Sequence, residues 1–197
     1  LTESAGDMRV GLIQTTGGDV SLTSSTGSIF DATDAGDTTT GDASVDVVAA
    51  NVSLTASGNG AIGSATNPLE IDSSNSSSGL LTASALNDVF LTETAGDLRV
   101  NSIATASTGS HVSLKSDTGE IIDGNNNGSV NISTWKTSLS SPAGGIGEKS
   151  NPLEIDSADT FDVTASAQND VFLTESSGKL NVNSVQSISG DVRLVTK

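Results

Sequence analysis

The sequence predicts an all-β fold, a parallel β-solenoid (β-helix) of roughly nine rungs of 18 to 25 residues each. Three observations predict it. Long blocks return almost unchanged: TASALNDVFLTET at 82 to 94 reappears as TASAQNDVFLTES at 164 to 176. A short unit, apolar-any-apolar, recurs inside these blocks beside Gly, Asn or Asp. Finally, 34% of the chain is hydrophobic but only 3% aromatic, which suits a narrow aliphatic core better than a wide globular one.

The long repeats begin near 1, 91 and 173, where LTESAGDMRV, LTETAGDLRV and LTESSGKLNV stand, and NPLEID occurs at 67 to 72 and 151 to 156. Fixed-period self-similarity marks an array, and arrays span, present or bind. The nine triplets start at Val20, Val45, Leu69, Val89, Val112, Val130, Leu153, Val171 and Val192. Strand side chains alternate between faces, so the outer two residues of each triplet point inward and the middle one outward. On this reading Val20, Leu69, Val89, Val112, Val130, Leu153, Val171 and Val192 form one stacked column. Further apolar residues fill the intervals: Met8 and Val10, Leu98 and Val100, Leu180 and Val182, then Ile29 with Ile121 and Ile62 with Ile146. Gly, Ser, Asn and Asp form the corners. A tandem β-sandwich with one domain per long repeat is the rival, but it gives no reason for the shorter period, and the chain has no tyrosine.

The net charge of -16, with 8 basic residues scattered singly, excludes nucleic acid as a partner, because that affinity rests on clustered Lys and Arg. No apolar run reaches the ~20 residues of a membrane span. The absence of cysteine excludes a disulfide framework and thiolate metal sites. The chain starts and stops inside a repeat, so residues 1–197 read as one solenoid segment excised from a longer array, with targeting signals elsewhere.

The succession NDVFLTETAGDLRV, HVSLKSDTGEIID and GGIGEKSNPLEID resembles the repeats of large bacterial surface exoproteins of the filamentous-haemagglutinin, two-partner-secretion type. The resemblance extends over essentially the whole chain. It implies a right-handed parallel β-helix, export across the outer membrane, an extracellular or cell-surface location and a role in adhesion or biofilm cohesion. The amino-terminal secretion domain of that family has no counterpart in these residues.

Two sets of candidate site residues follow. Asp123, Asn125, Asn127 and Gly128 fit the first half of a calcium loop, D-x-N-x-N-G, in which alternate oxygens surround a hard cation; Thr134 stands where the closing Glu belongs. The equivalent corner one repeat earlier holds Asp31, Asp34 and Asp37, followed by Asp42. Calcium binding at these corners stands beside the alternative that Asp, Asn and Gly are there for their turn chemistry. No cofactor is required for the fold. The second set is the outward middle positions Phe90 and Phe172, expected four rungs apart on one sheet with Glu70 and Glu154 on adjacent rungs, all facing solvent. Exposed rings of this kind stack on sugars or seat a protein partner, whereas rings covered by their own rung's loop are packing.

Paired acids such as Glu70 with Asp72, recurring as Glu154 with Asp156, suit scaffold better than catalysis, and His111 has no nucleophile motif beside it. The expected function is a non-catalytic stalk segment of a giant secreted or surface-anchored bacterial adhesin or matrix protein. Its partners would be adjacent repeats and, beyond them, a host or matrix glycan or a cell-surface protein. The alternative is a calcium- or carbohydrate-binding β-helical module.

Overall fold

The computed structural model describes residues 1–32, 44–74, 76–160 and 162–197, in which every regular element is a β-strand. Strands are numbered in chain order. One wall of the solenoid stacks β1 (Thr2–Glu3), β4 (Val20–Ser24), β7 (Val52–Ala56), β9 (Leu81–Ala85), β11 (Leu98–Thr105), β14 (Ile132–Thr134), β16 (Leu153–Ser157), β18 (Val171–Glu175) and β20 (Val192–Thr196). The opposite wall stacks β3 (Ile13–Gln14), β6 (Val47–Val48), β8 (Leu69–Asp72), β10 (Val89–Glu93), β12 (His111–Ser116), β15 (Lys136–Ser141), β17 (Val163–Ala167) and β19 (Val182–Ser187), one strand for each of about eight turns. Every pairing between them is parallel, as required when each turn follows the same path as the last. The predicted parallel β-helix is therefore the fold.

A short third strip lies at the corners. In the first half of the chain it follows the first wall: β2 (Met8–Val10) pairs with β5 (Ile29–Asp31), and single bridges continue it through Ile62 to Val89. In the second half it follows the other wall, where the start of β11 pairs with β13 (Ile121–Asp123), and Ile146 and Val171 continue the column.

Alternation within each strand builds the core. On the first wall Val20, Val52 and Leu81 stack in register, as do Leu22, Leu54 and Ala83. On the second wall Leu91, Leu114, Leu139 and Ala165 form a column, all buried. Aliphatic side chains repeating at the ~4.8 Å strand spacing fill a narrow interior without aromatic rings. Corners repeat a Ser-x-x-Gly device. Ser24 and Ser116 each accept the backbone N–H of the glycine three residues on, Gly27 and Gly119, and donate to the carbonyl of Gly6 and Gly96 one turn below. Backbones pass so closely there that a Cβ on Gly119 would lie 2.1 Å from the Gly96 oxygen.

The long sequence repeat is not a whole number of turns. Ala83 pairs with Ile103, Ile103 with Ile132, and Ile132 with Ile155, three turns along the first wall. Its sequence counterpart Ala165 comes half a turn later, on the second wall beside Leu139. The same displacement sends NPLEID and VFLTE from the second wall to the first. Each long repeat thus occupies three and a half turns, and its copies face opposite directions. Turn length varies: one turn takes 32 residues between Val20 and Val52 but 20 between Ile155 and Glu175.

This arrangement corrects four expectations. The triplet residues do not form one column: Val20, Leu153, Val171 and Val192 lie on the first wall, Leu69, Val89 and Val112 on the second. The V-D-V and V-N-I triplets are out of phase, because their strands start at Val47 and Ile132, leaving Asp46 and Asn131 just before them. Phe90 and Phe172 do not share a sheet, since β10 and β18 belong to opposite walls. Glu70 and Glu154 are not solvated; each is 4% exposed.

Candidate metal centre

The burial of Glu70 draws attention to what lies around it. Asp31 closes β5, Asp46 immediately precedes β6 one turn below β8, and Glu70 is the second residue of β8. Parallel pairing locks the last two together: the Asp46 N–H donates to the Glu70 carbonyl at 2.9 Å, and the Glu70 N–H donates to Asp46 Oδ2 at 3.1 Å. Carboxylate oxygens of Asp31, Asp46 and Glu70 all lie within 4.8 Å of one another, and all three residues are buried. Burial, opposed by the Glu70 N–H and reinforced by the neighbouring Asp31 and Glu70 carboxylates, pushes the Asp46 carboxyl up to about 9. Three hard oxygen donors this close together could supply part of the oxygen shell of a divalent cation.

The second long repeat builds the same frame with one change. Val100 pairs with Asp123 as Val10 pairs with Asp31, and Glu154 takes the place of Glu70. At the position of Asp46 stands Asn131. Its Nδ2 donates to Asp123 Oδ1 at 2.6 Å and to the Val100 carbonyl at 2.9 Å, while its Oδ1 accepts the Glu154 N–H at 2.9 Å. Glu154 is pushed up by burial and then by Asp123, an effect opposed by Lys197, whose Nζ lies 3.9 Å away.

The remaining predicted calcium ligands have other duties. Asp123, Asn125 and Asn127 form successive Asx turns, their side-chain oxygens accepting the backbone N–H groups of Asn125, Asn127 and Ser129 at 2.8, 3.2 and 2.8 Å. Asn126, inside this run, has a φ of 47°, the left-handed conformation that Asn tolerates. Asp34 and Asp37 lie outside the described residues. Other acids cap the next turn: Asp7 Oδ1 accepts from Ser28, Asp88 from His111 and Asp97 from Glu120. Much of the acidic charge is therefore spent on corner hydrogen bonds between turns.

Sequence reasoning omits Asp46 from the ligands and places Glu70 on a partner-binding face. A signal for both exists in the chain: aligning the long repeats sets Asp31 with Asp123, Asp46 with Asn131 and Glu70 with Glu154.

The aromatic residues divide. Phe90 is half-buried and packs edge-on against His111, with ring centroids 5.3 Å apart at 85°, while His111 Nε2 lies 2.8 Å from Ser138 Oγ. A shallow groove of about 310 Å³ runs over this part of the second wall, lined by Pro68, Phe90, Ser113, Lys115, Ser138 and Thr164. Phe172 is 5% exposed, a packing residue in a hollow with Glu120, Glu148 and Asp170. Within each copy the Phe and Glu do occupy adjacent turns, Phe90 beside Glu70's strand and Phe172 beside Glu154's. Comparison with protein-family models, curated proteins and solved structures yields no match to this chain.

Proposed function

We propose that this chain is a structural stalk segment of a secreted or cell-surface bacterial adhesin or matrix protein, mediating adhesion or biofilm cohesion without catalysis. One observation carries the reading: two hydrogen-bonded ladders run without a break through about eight turns, which at the ~4.8 Å strand spacing make a stiff rod roughly 38 Å long. Rods of this kind set distance and transmit load.

The test is mechanical. In single-molecule pulling, the segment, held between flanking marker domains, should resist force and unfold in steps of whole turns. Scattering from the isolated segment should fit a compact rod. A flexible, expanded scattering profile, or extension without resolvable steps, would overturn the stalk reading. A second reading, a glycan-binding module, draws on the groove around Phe90. Glycan-array binding that disappears in Phe90→Ser, with the fold retained, would favour it.

A further inference from the structure

The two copies of the acidic frame serve as controls for each other. In the second copy the centre of the frame is an amide nitrogen that donates twice, to Asp123 Oδ1 and to the Val100 carbonyl. In the first copy that place belongs to Asp46, which is 0% exposed and whose Oδ1 accepts no hydrogen bond from an N–H or O–H donor of another described residue. Its other oxygen is committed to the Glu70 N–H. An acceptor therefore stands where the equivalent site has two donors, with the Asp31 and Glu70 carboxylates beside it.

Buried carboxylates this close together must be neutralised, by a proton or by a compensating positive group. None of the ion pairs among the described residues reaches Asp46. The sequence between Asp31 and Asp46 adds Asp34, Asp37 and Asp42 and no Lys, Arg or His. A proton on Asp46 supplies a single donor, so it replaces only one of the two hydrogen bonds that Asn131 makes. A divalent cation attracts every oxygen around it at once. The donors are all oxygen, three of them carboxylates on unlike parts of the turn, which suits the irregular coordination of calcium better than the strict octahedron of magnesium.

We propose that Asp31, Asp46 and Glu70 bind one calcium ion, which clamps the corner strip to the second wall in the first long repeat, and that the second repeat has replaced this ion with the side-chain amide of Asn131. The inference goes beyond the stalk reading and does not depend on it, because it concerns how the rod is held together and its test involves no adhesion.

Reciprocal substitutions test it. Calorimetric titration of the whole chain with calcium chloride, after removal of metal by chelator, should show one site. Asp46→Asn, which copies the second frame into the first, should keep the β-sheet circular dichroism, weaken calcium binding at least 100-fold and abolish the calcium-dependent rise in melting temperature. Asn131→Asp should raise the stoichiometry from one to two. The proposal is overturned if wild type binds no calcium, or if Asp46→Asn binds it as wild type does. It is equally overturned if calcium leaves the melting temperature unchanged while raising the pH from 6 to 10 unfolds wild type but not Asp46→Asn, since a proton would then be the compensating group. Should Asp46→Asn fail to fold, the stoichiometry of Asn131→Asp decides: two sites support the proposal and one refutes it.

Discussion

Raising the pH should destabilise this protein, and Glu93 should account for a measurable share of the loss. Glu93 ends β10 fully buried; its Oε1 accepts the Ser73 N–H at 2.9 Å and its Oε2 the Ser73 hydroxyl at 2.6 Å. Burial outweighs these two hydrogen bonds and pushes its carboxyl up from 4.5 to about 8. Below pH 4.5 the folded and unfolded chains both hold the proton, so the group has no pH-dependent effect. Between 4.5 and 8 the unfolded chain has released the proton and the folded chain retains it, so each rise in pH favours unfolding. Within that window a single such group costs on the order of 1 kcal/mol per pH unit, and above pH 8 its contribution levels off. Glu175 repeats the geometry with Ser157 and is shifted in the same direction, so the slopes add. The assay is urea unfolding in chelator at pH 5, 6, 7 and 8, comparing wild type with Glu93→Gln. Gln keeps the shape, and its carbonyl still accepts the Ser73 N–H, but it has no proton to lose. The variant should lose stability less steeply. Equal slopes in the two proteins, or wild-type stability that rises from pH 5 to 8, would refute the reasoning.

Other substitutions probe the packing. Gly119→Ala should destabilise by about 1–3 kcal/mol, because its Cβ meets backbone rather than a flexible side chain, whereas Gly18→Ala, with only ordinary contacts to Thr15, should stay within about 0.5 kcal/mol. Leu114→Ala, in the buried column between Leu91 and Leu139, should cost about 2–5 kcal/mol in chemical unfolding, and its outward neighbour Ser113→Ala about 0.5 kcal/mol or less. Phe172→Ser should lower the melting temperature well beyond Phe90→Ser, reflecting their unequal burial; equal losses would contradict the division between a packing ring and a groove ring. Amide exchange should be fastest in β19 and β20, whose side chains are partly or fully exposed, and slowest around Val112 and Leu114.

The strands were legible because their information is local. Val-Ser-Leu and Val-Phe-Leu place two aliphatic residues on one face whichever wall receives them, and Gly, Ser, Asn and Asp mark the corners between them. The walls were not legible for the same reason. A period of two is identical on both sides of a solenoid, so the sequence of VFLTE at 89 and at 171 contains nothing that distinguishes them. Assigning a wall requires counting the turns between them, and unequal turn lengths conceal that count. The acidic frame was hidden differently. Glu70 reads as an outward residue and is one, but outward is not exposed when residues distant in sequence cover it, and no window along the chain shows Asp31 and Asp46 reaching the same corner.

The half-turn in each repeat constrains how such a rod meets its surroundings. With a whole number of turns per repeat, a groove such as that around Phe90 would recur along one side, and an extended partner would engage every copy. Three and a half turns place successive copies on opposite sides, separated along the axis by roughly 17 Å at the ~4.8 Å spacing. A flat partner on one side then meets only every second copy, about 34 Å apart by the same spacing. The copies also differ from each other: the ring at Phe90 is open to a groove, the ring at Phe172 is packed away, and the acidic frame of the first copy is an amide frame in the second. Selection for repeated contact would hold equivalent surfaces alike. Here the shared features are the inward columns and the corner hydrogen bonds, which act along the axis whichever way a copy faces, and that is the pattern expected of a chain whose repeats serve length and stiffness.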